Sequence, residues 1–295
     1  MTQNHGRGSP VEHGFPHLDT VHRALTALFR RLSYDGIRAY DAGLPAADAE
    51  FTPEDDPHLG AQRVARAVVR GLRLPDARLV IGYRAMTEAA TVELGPGPEY
   101  FVEVNERFLT HRRDLAAALA HEVAHVLLHR LDLRFPTTED NEILTDTAAA
   151  YLGAGWLLLD AYREDELTHQ KLGYLTPEEF GYVLAKRGEL IGEDLSTRFI
   201  GPRAYEAYVR GRALAARDHR RAPLAAASWP ERLRYARDRR AGSAAPGAAY
   251  RFERLADGQR VSFPCPVCRQ WLRLPVGGPV RARCGLCRTV LECDT

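Results

Sequence analysis

Before residue 265 the 295-residue sequence contains no cysteine, and its whole length holds only two methionines and two lysines, Lys171 and Lys186. A disulfide-stapled framework is thereby excluded for most of the chain. Long apolar runs are missing too. The longest, 148–159, is bracketed by Asp146 and Asp160 and falls short of the about 20 residues that span a bilayer. The N-terminal stretch MTQNHGRGSPVEHGFPHLD has no apolar h-region and no small-residue cleavage site, so no signal peptide is expected. Neither sign of charge dominates: 40 basic residues against 39 acidic give a net +1, and the global field selects no partner. With 45% apolar and 27% charged residues the composition is globular, not that of a collagen, a coiled coil or a chain disordered throughout. These absences predict a cytoplasmic protein without a membrane partner.

Residues 1–18 are rich in Gly, Pro and His without periodicity and read as a disordered tail. From Thr20, VHRALTALFRRL sets Val21, Leu25, Leu28 and Leu32 on one face of an amphipathic helix. An acidic loop over 41–58 leads to a second helix, LGAQRVARAVVRGL. Three strand-like runs follow, ARLVIGYR, ATVELG and EYFVEVN, and GPGP between the last two favours a hairpin or tight loop. Asp114 can cap the helix DLAAALAHEVAHVLLHRL, and Pro136, Thr137 and Thr138 mark the turn into EDNEILTDTAAAYLGAGWLLLDAY. Gly153 and Gly155 interrupt that second pattern, which signals close packing or a kink. Thr176-Pro177-Glu178-Glu179 starts a further helix, with Thr as N-cap and Pro in the first turn. The main unit expected is 19–195. Residues 196–240, with twelve arginines against four acidic residues, form a basic helical extension; 241–249 is a small-residue linker and 250–295 a terminal module.

His121-Glu122-Val123-Ala124-His125 is an HExxH pattern on a helix. Residues four apart share a helical face, so both imidazoles can reach one zinc ion. Glu122 then stands beside the metal without ligating it, where it can take a proton from the attacking water and pass it to a leaving amine. His129, one more turn along, lies too far along the axis for one ion to bridge all three histidines.

Sixteen residues past His125 the chain reads NEILTD, 141–146. This resembles the second-helix motif of the gluzincin metallopeptidases, NExxSD, with Thr145 in place of serine. The resemblance implies Glu142 as third zinc ligand and Asp146 as the carboxylate that orients a zinc histidine. It spans about 60–165 and is closest in style to compact ImmA/IrrE-type and minigluzincin proteins, whose HExxHxxLH pattern HEVAHVLLH matches. It implies an α+β, zincin-like domain in which a small sheet packs on the HExxH helix and the glutamate helix. EYFVEVN would be the edge strand that pairs with extended substrate. Other HExxH families fit less well. Leu128 and Leu131 replace the glycine and third histidine of metzincins, Thr145 and Asp146 are adjacent where aspzincins space them, and no early cysteine serves a deformylase. An oxyanion-stabilising group is expected among Tyr162, His169 and Tyr174, with His169 preferred because it follows the glutamate helix in a polar loop.

Cys265-Pro-Val-Cys268 and Cys284-Gly-Leu-Cys287 are fifteen residues apart, the spacing of a four-thiolate zinc site. QWLRLPV and PVRARC read as two strands joined by Gly277-Gly278, the layout of a zinc ribbon that folds only with its metal. Cys293 is left over as a free thiol. Arg269, Arg273, Arg281, Arg283 and Arg288 make the ribbon basic, and with 196–240 they form a patch suited to phosphates. The expected function is zinc-dependent peptide-bond hydrolysis of narrow or regulatory specificity, with one catalytic and one structural zinc and a ribbon that recruits a protein substrate or partner. The alternative is a non-catalytic zinc-containing regulator that binds nucleic acid or protein through the Arg-rich segment and ribbon. Glu122 separates the two, because a structural zinc site has no need of it.

Overall fold

The computed structural model describes residues 11–51, 54–110, 112–164, 169–199 and 201–295. Among them lie nine α-helices and ten short strands, an α+β architecture. α1 (Leu18–Arg38) buries Val21, Ala24, Leu25, Leu28 and Phe29 and breaks at Ser33, whose φ is 63°. After the short α2 (Ala46–Ala49), α3 (Pro57–Gly71) starts on Asp56, whose carboxylate accepts from the His58 and Leu59 N–H groups. β1 (Arg78–Arg84), β2 (Ala90–Val92) and β3 (Glu99–Asn105) form a sheet in the order β1-β3-β2. β2 and β3 are antiparallel across the GPGP turn, Ala90 opposite Val104 and Val92 opposite Val102. β1 runs parallel to β3, Arg78 opposite Glu99.

EYFVEVN is therefore the central strand, not the edge strand the sequence suggested. β1 occupies its other side because Leu79 and Ile81 face inward in register with Tyr100 and Val102. On the far side of β1 the Gln62 amide of α3 lies 2.9 Å from both Leu79 O and Ile81 N, and in the orientation that satisfies both it donates to the first and accepts from the second.

One face of the sheet packs on α3 and on α4 (Leu115–Arg130), which is buried at almost every position from Leu115 to Leu128. Asp114 stands at the α4 N-cap position, yet its carboxylate makes no cap bond there and meets Arg163 at 3.2 Å. α5 (Thr138–Tyr151) lies against α4 and is capped by the Thr137 hydroxyl. The single long helix read from the sequence ends here. Gly153 has φ 104°, and a Cβ on it would stand 2.7 Å from Gly43 Cα, so only glycine lets the two segments cross. α6 (Trp156–Asp160) resumes, and β4 (Arg163–Glu164) and β5 (His169–Gln170) form a small ladder. α7 (Pro177–Ile191) opens with the reciprocal Thr176–Glu179 capping box and packs on α5; α8 (Pro202–Asp218) packs on α7, and α9 (Trp229–Ala241) follows.

Of the tail expected over 1–18, residues 1–10 lie outside the described residues. From Val11, which is buried, the chain is pinned across the start of α7. His13 meets Glu164 and Glu178 at 3.0 and 3.2 Å, and Thr176 Oγ1 donates to Gly14 O at 2.7 Å.

At the C-terminus, β6 (Arg251–Leu255), β7 (Gly258–Pro264) and β8 (Trp271–Pro275) form an antiparallel sheet, and β9 (Pro279–Arg283) pairs with β10 (Val290–Asp294). The strands on either side of Gly277-Gly278 thus join different sheets. The module packs back on the helices: Ala225 N–H donates to Glu292 O, Asp294 N–H to Pro223 O, and Tyr235 stacks on Phe252. One buried core runs from Val21 to Cys293. Among the described residues no helix is long and apolar enough to cross a membrane.

Candidate metal centres

His121 and His125, on successive turns of α4, converge with Glu142 of α5. His121 Nε2 lies 3.0 Å from His125 Nε2 and 3.2 Å from Glu142 Oε2, and His125 Nε2 lies 3.3 Å from the same oxygen. Each ring uses its other nitrogen on α5. His121 Nδ1 donates to Asp146 Oδ1 at 2.8 Å; His125 Nδ1 donates to Thr145 Oγ1 at 3.2 Å, and that hydroxyl donates to Asn141 O at 2.9 Å. Both imidazoles therefore aim Nε2 at one point, where a carboxylate oxygen also arrives. Lone pairs this close repel one another unless they share a cation, so the three residues could hold a metal ion.

The charges point the same way. Burial pulls the His121 pKa down, but Asp146, Glu142 and Glu122 overcome it and hold it at about 10. Burial pushes Glu142 up, yet hydrogen bonds from His121 and His125 outweigh it and hold the carboxyl well below the usual range. The pocket favours one positive charge at its centre.

A loop after β5 supports this cluster. The second oxygen of Asp146 accepts from the Tyr174 and Leu175 N–H groups, the latter at 3.0 Å. Gly173 has φ 86°, and a Cβ there would sit 2.6 Å from Asp146 Oδ2. Lys171, itself buried, donates to Tyr174 O at 3.0 Å. On the other side Asn141 clamps the turn before α5, accepting from Phe135 N at 2.7 Å and donating to Phe135 O at 2.6 Å. Spacing alone gave no sign of the Thr145 hydroxyl's role or of the two loop N–H groups. The isolated Gly173 and the lysine beside it, in a chain with two lysines, were the available signals.

Glu122 is 2% exposed, and among the described residues its Oε1 has no hydrogen-bond partner. Its charge acts on both His121 and Tyr174, which places it at the cluster. Of the three oxyanion candidates, Tyr174 is the one that the charges of the centre act on: burial, then Glu142, Asp146 and Glu122, push its phenol up to about 12. Tyr162 turns its hydroxyl to Glu164. His169 lies in β5, and its side chain falls outside the described residues. His129 is exposed in the last turn of α4 and is not part of the group.

The four cysteines form a second candidate centre, each buried. Cys265 and Cys287 Sγ are 3.6 Å apart, as are those of Cys268 and Cys284. The two knuckles repeat one geometry. In each, the N–H of the residue after the CxxC donates to the carbonyl of its first cysteine, Arg269 to Cys265 at 3.1 Å and Arg288 to Cys284 at 3.0 Å. Both arginines are left-handed, with φ 62° and 61°. The hydrogen-bonded sulfurs pull one another in opposite directions: Cys284 is held far below its usual range by Cys265 and Cys268, which are themselves held far above theirs. Thr289 Oγ1 lies 3.3 Å from Cys287 Sγ. Cys293 stands apart, buried in β10, its thiol pushed up to about 11 by burial. No family model, no curated protein and no solved structure matches this chain.

Proposed function

We propose that the chain is a zinc metallopeptidase of gluzincin type. The sheet, α4 and α5 form its zincin-like body, and the four cysteines form a structural zinc ribbon. The donor spacing supports zinc at both centres. A tetrahedral site with nitrogen and oxygen ligands at about 2.0–2.1 Å sets neighbouring donors about 3.3 Å apart, and thiolates at about 2.3 Å sit about 3.8 Å apart. The separations of 3.0–3.3 Å and 3.6 Å are close to these. Three protein ligands at the His121/His125/Glu142 centre leave a fourth position for chemistry, whereas four thiolates close the other site.

The observation that carries the reading is Glu122, a buried carboxylate next to His121 with an oxygen that has no partner among the described residues. A structural site gives such a group no work, and a buried unsatisfied oxygen in a native fold demands a reason. When bound, zinc would supply Lewis acidity and lower the pKa of water. Glu122 takes the proton from the attacking water as the new C–O bond forms, and delivers it to the amine nitrogen as the C–N bond breaks. Tyr174, whose phenol is acted on by Glu142, Asp146 and Glu122, joins His169 as a candidate donor to the carbonyl oxygen. The substrate is a protein or peptide and the setting the cytoplasm.

In the alternative reading, nucleic acid or protein binds through 196–240 and the ribbon, and several arginines of that segment stand in partly exposed ion pairs. Arg210 meets Glu178 at 2.8 Å, Arg198 meets Glu193 at 2.6 Å, and Arg203 meets Glu206 at 3.3 Å. For recruitment the ribbon keeps an outward sheet face with Trp271 and Arg273 exposed.

Glu122→Gln tests the reading. Peptide-library cleavage read by mass spectrometry should fall by at least about 10²-fold, the weight of a general base, with metal content unchanged. Wild-type turnover by this variant would sink the mechanism.

A further inference from the structure

A second set of buried charges ties the cysteine module to the helices. Lys186 of α7 reaches Asp218 Oδ2 at 3.1 Å and donates to the Ala215 and Pro266 carbonyls at 3.1 and 2.9 Å. Arg269 reaches Asp218 Oδ1 at 3.0 Å, and the Tyr182 hydroxyl donates to Asp218 Oδ2 at 2.7 Å. Pro266 and Arg269 belong to the first CxxC knuckle. The knuckle is thus one wall of a buried network whose other walls are α7 and α8.

α1 carries the connection onward. The Thr26 hydroxyl shares its one proton between the Cys268 carbonyl at 2.8 Å and the His22 carbonyl of α1 at 3.0 Å, Arg30 donates to Gln270 at 2.7 Å, and Asp35 meets Arg288 of the second knuckle at 2.7 Å. The same helix grips α5 near both ends. Thr20 and Arg23 bond Asp140, two residues before Glu142, at 2.9 and 2.8 Å. Phe29 packs on Tyr151, the last residue of α5, with ring centroids 5.9 Å apart. The Tyr151 hydroxyl is buried without a hydrogen-bond partner among the described residues, and burial, then the Cys268 and Cys287 thiols, push it up. One helix therefore spans from the turn that carries Glu142 to the edge of the cysteine cluster.

We propose that the first CxxC knuckle is a positioning element for the His121/His125/Glu142 centre. Metal held by the four cysteines fixes the knuckle, Thr26 passes that constraint to α1, and α1 fixes the part of α5 that presents Glu142, Thr145 and Asp146. Metal ligands must hold position to about 0.5 Å, so a loosened α5 binds its ion less tightly. The inference rests on both groups holding metal; it does not depend on peptide hydrolysis.

Cobalt(II) is the probe, because thiolate ligands give it charge-transfer absorption while a two-histidine, one-carboxylate set gives only ligand-field bands. The full chain, loaded with cobalt during expression, is titrated with a chelator, and loss of the ligand-field bands reads affinity at the histidine centre. Thr26→Val should weaken that affinity by about 2- to 30-fold, the range for coupling through a packed network, while the thiolate band remains. Thr26→Ser keeps the hydroxyl and should restore the wild-type curve. Cys268→Ser should weaken the histidine centre at least as much as Thr26→Val. Wild-type release from both Thr26→Val and Cys268→Ser overturns the proposal, as does a loss that Thr26→Ser fails to restore. A wild-type protein showing only the thiolate band overturns the two-centre reading with it.

Discussion

Asp146 and Thr145, adjacent on α5, each fix one imidazole of α4, and their side chains differ in what they can do. The Asp146 carboxylate takes the His121 Nδ1–H and two loop N–H groups; the Thr145 hydroxyl takes one N–H and is itself anchored to Asn141 O. Glu142, one turn earlier, contributes its oxygen directly to the donor triangle. Glu142→Ala should therefore lose the metal at ordinary concentrations. Asp146→Ala should retain it with affinity weakened about 10–100-fold, the usual effect of deleting a group that orients a ligand. Metal titration of the two variants decides the order, and the reverse ranking would make Asp146 the ligand. The two lysines show the same economy of role. In a chain where almost every cation is arginine, both are buried and donate to backbone carbonyls, Lys171 to Tyr174 O and Lys186 to Ala215 and Pro266 O.

At the scale of elements, the loop 172–175 matters as much as the helices. It brings the N–H groups of Tyr174 and Leu175 to Asp146 only because Gly173 has no side chain and adopts a positive φ. Gly173→Ala should cost about 1–3 kcal/mol from backbone strain alone, before the clash with Asp146 is counted. Urea unfolding would show the loss, and metal affinity at the histidine centre should fall with it. A variant as stable and as tightly metallated as wild type would mean the loop does not need that approach. The helix starts at Thr137 and Thr176 were legible in the sequence, because a cap is made within three residues; α3, read as starting at Leu59, opens earlier, at Pro57 on the Asp56 cap. The end of α5 was not. Whether Gly153 bends or breaks a helix depends on Gly43, which approaches from a distant segment.

On the scale of the molecule, the cysteine module is part of one body with the helices, joined through Lys186, Asp218 and Arg269, all nearly inaccessible. Lys186→Met should lower stability by about 3 kcal/mol, at the lower end for a broken buried pair because Arg269 and Tyr182 still satisfy Asp218. Calorimetry should show a single transition moving down as a whole. A separate, unshifted melting step for the terminal module would contradict the shared core. Elemental analysis should find two zinc ions per chain, and near one after mild chelation, since an open three-ligand site exchanges faster than four thiolates. One zinc before chelation would remove one of the centres.

The sequence by itself determined what local geometry determines. A spacing of four on a helix faces His121 and His125 the same way, two CxxC pairs fifteen residues apart make two knuckles, and a capping box starts α7. These follow from the pitch of a helix and the reach of a turn, which need no distant partner. Tertiary structure alone decided the rest. It placed β3 at the centre of its sheet, gave Thr145 and the loop N–H groups their partners, and set the Thr26 hydroxyl on a carbonyl 242 residues away. Such contacts are fixed by which surfaces bury together, and no short stretch of sequence records that.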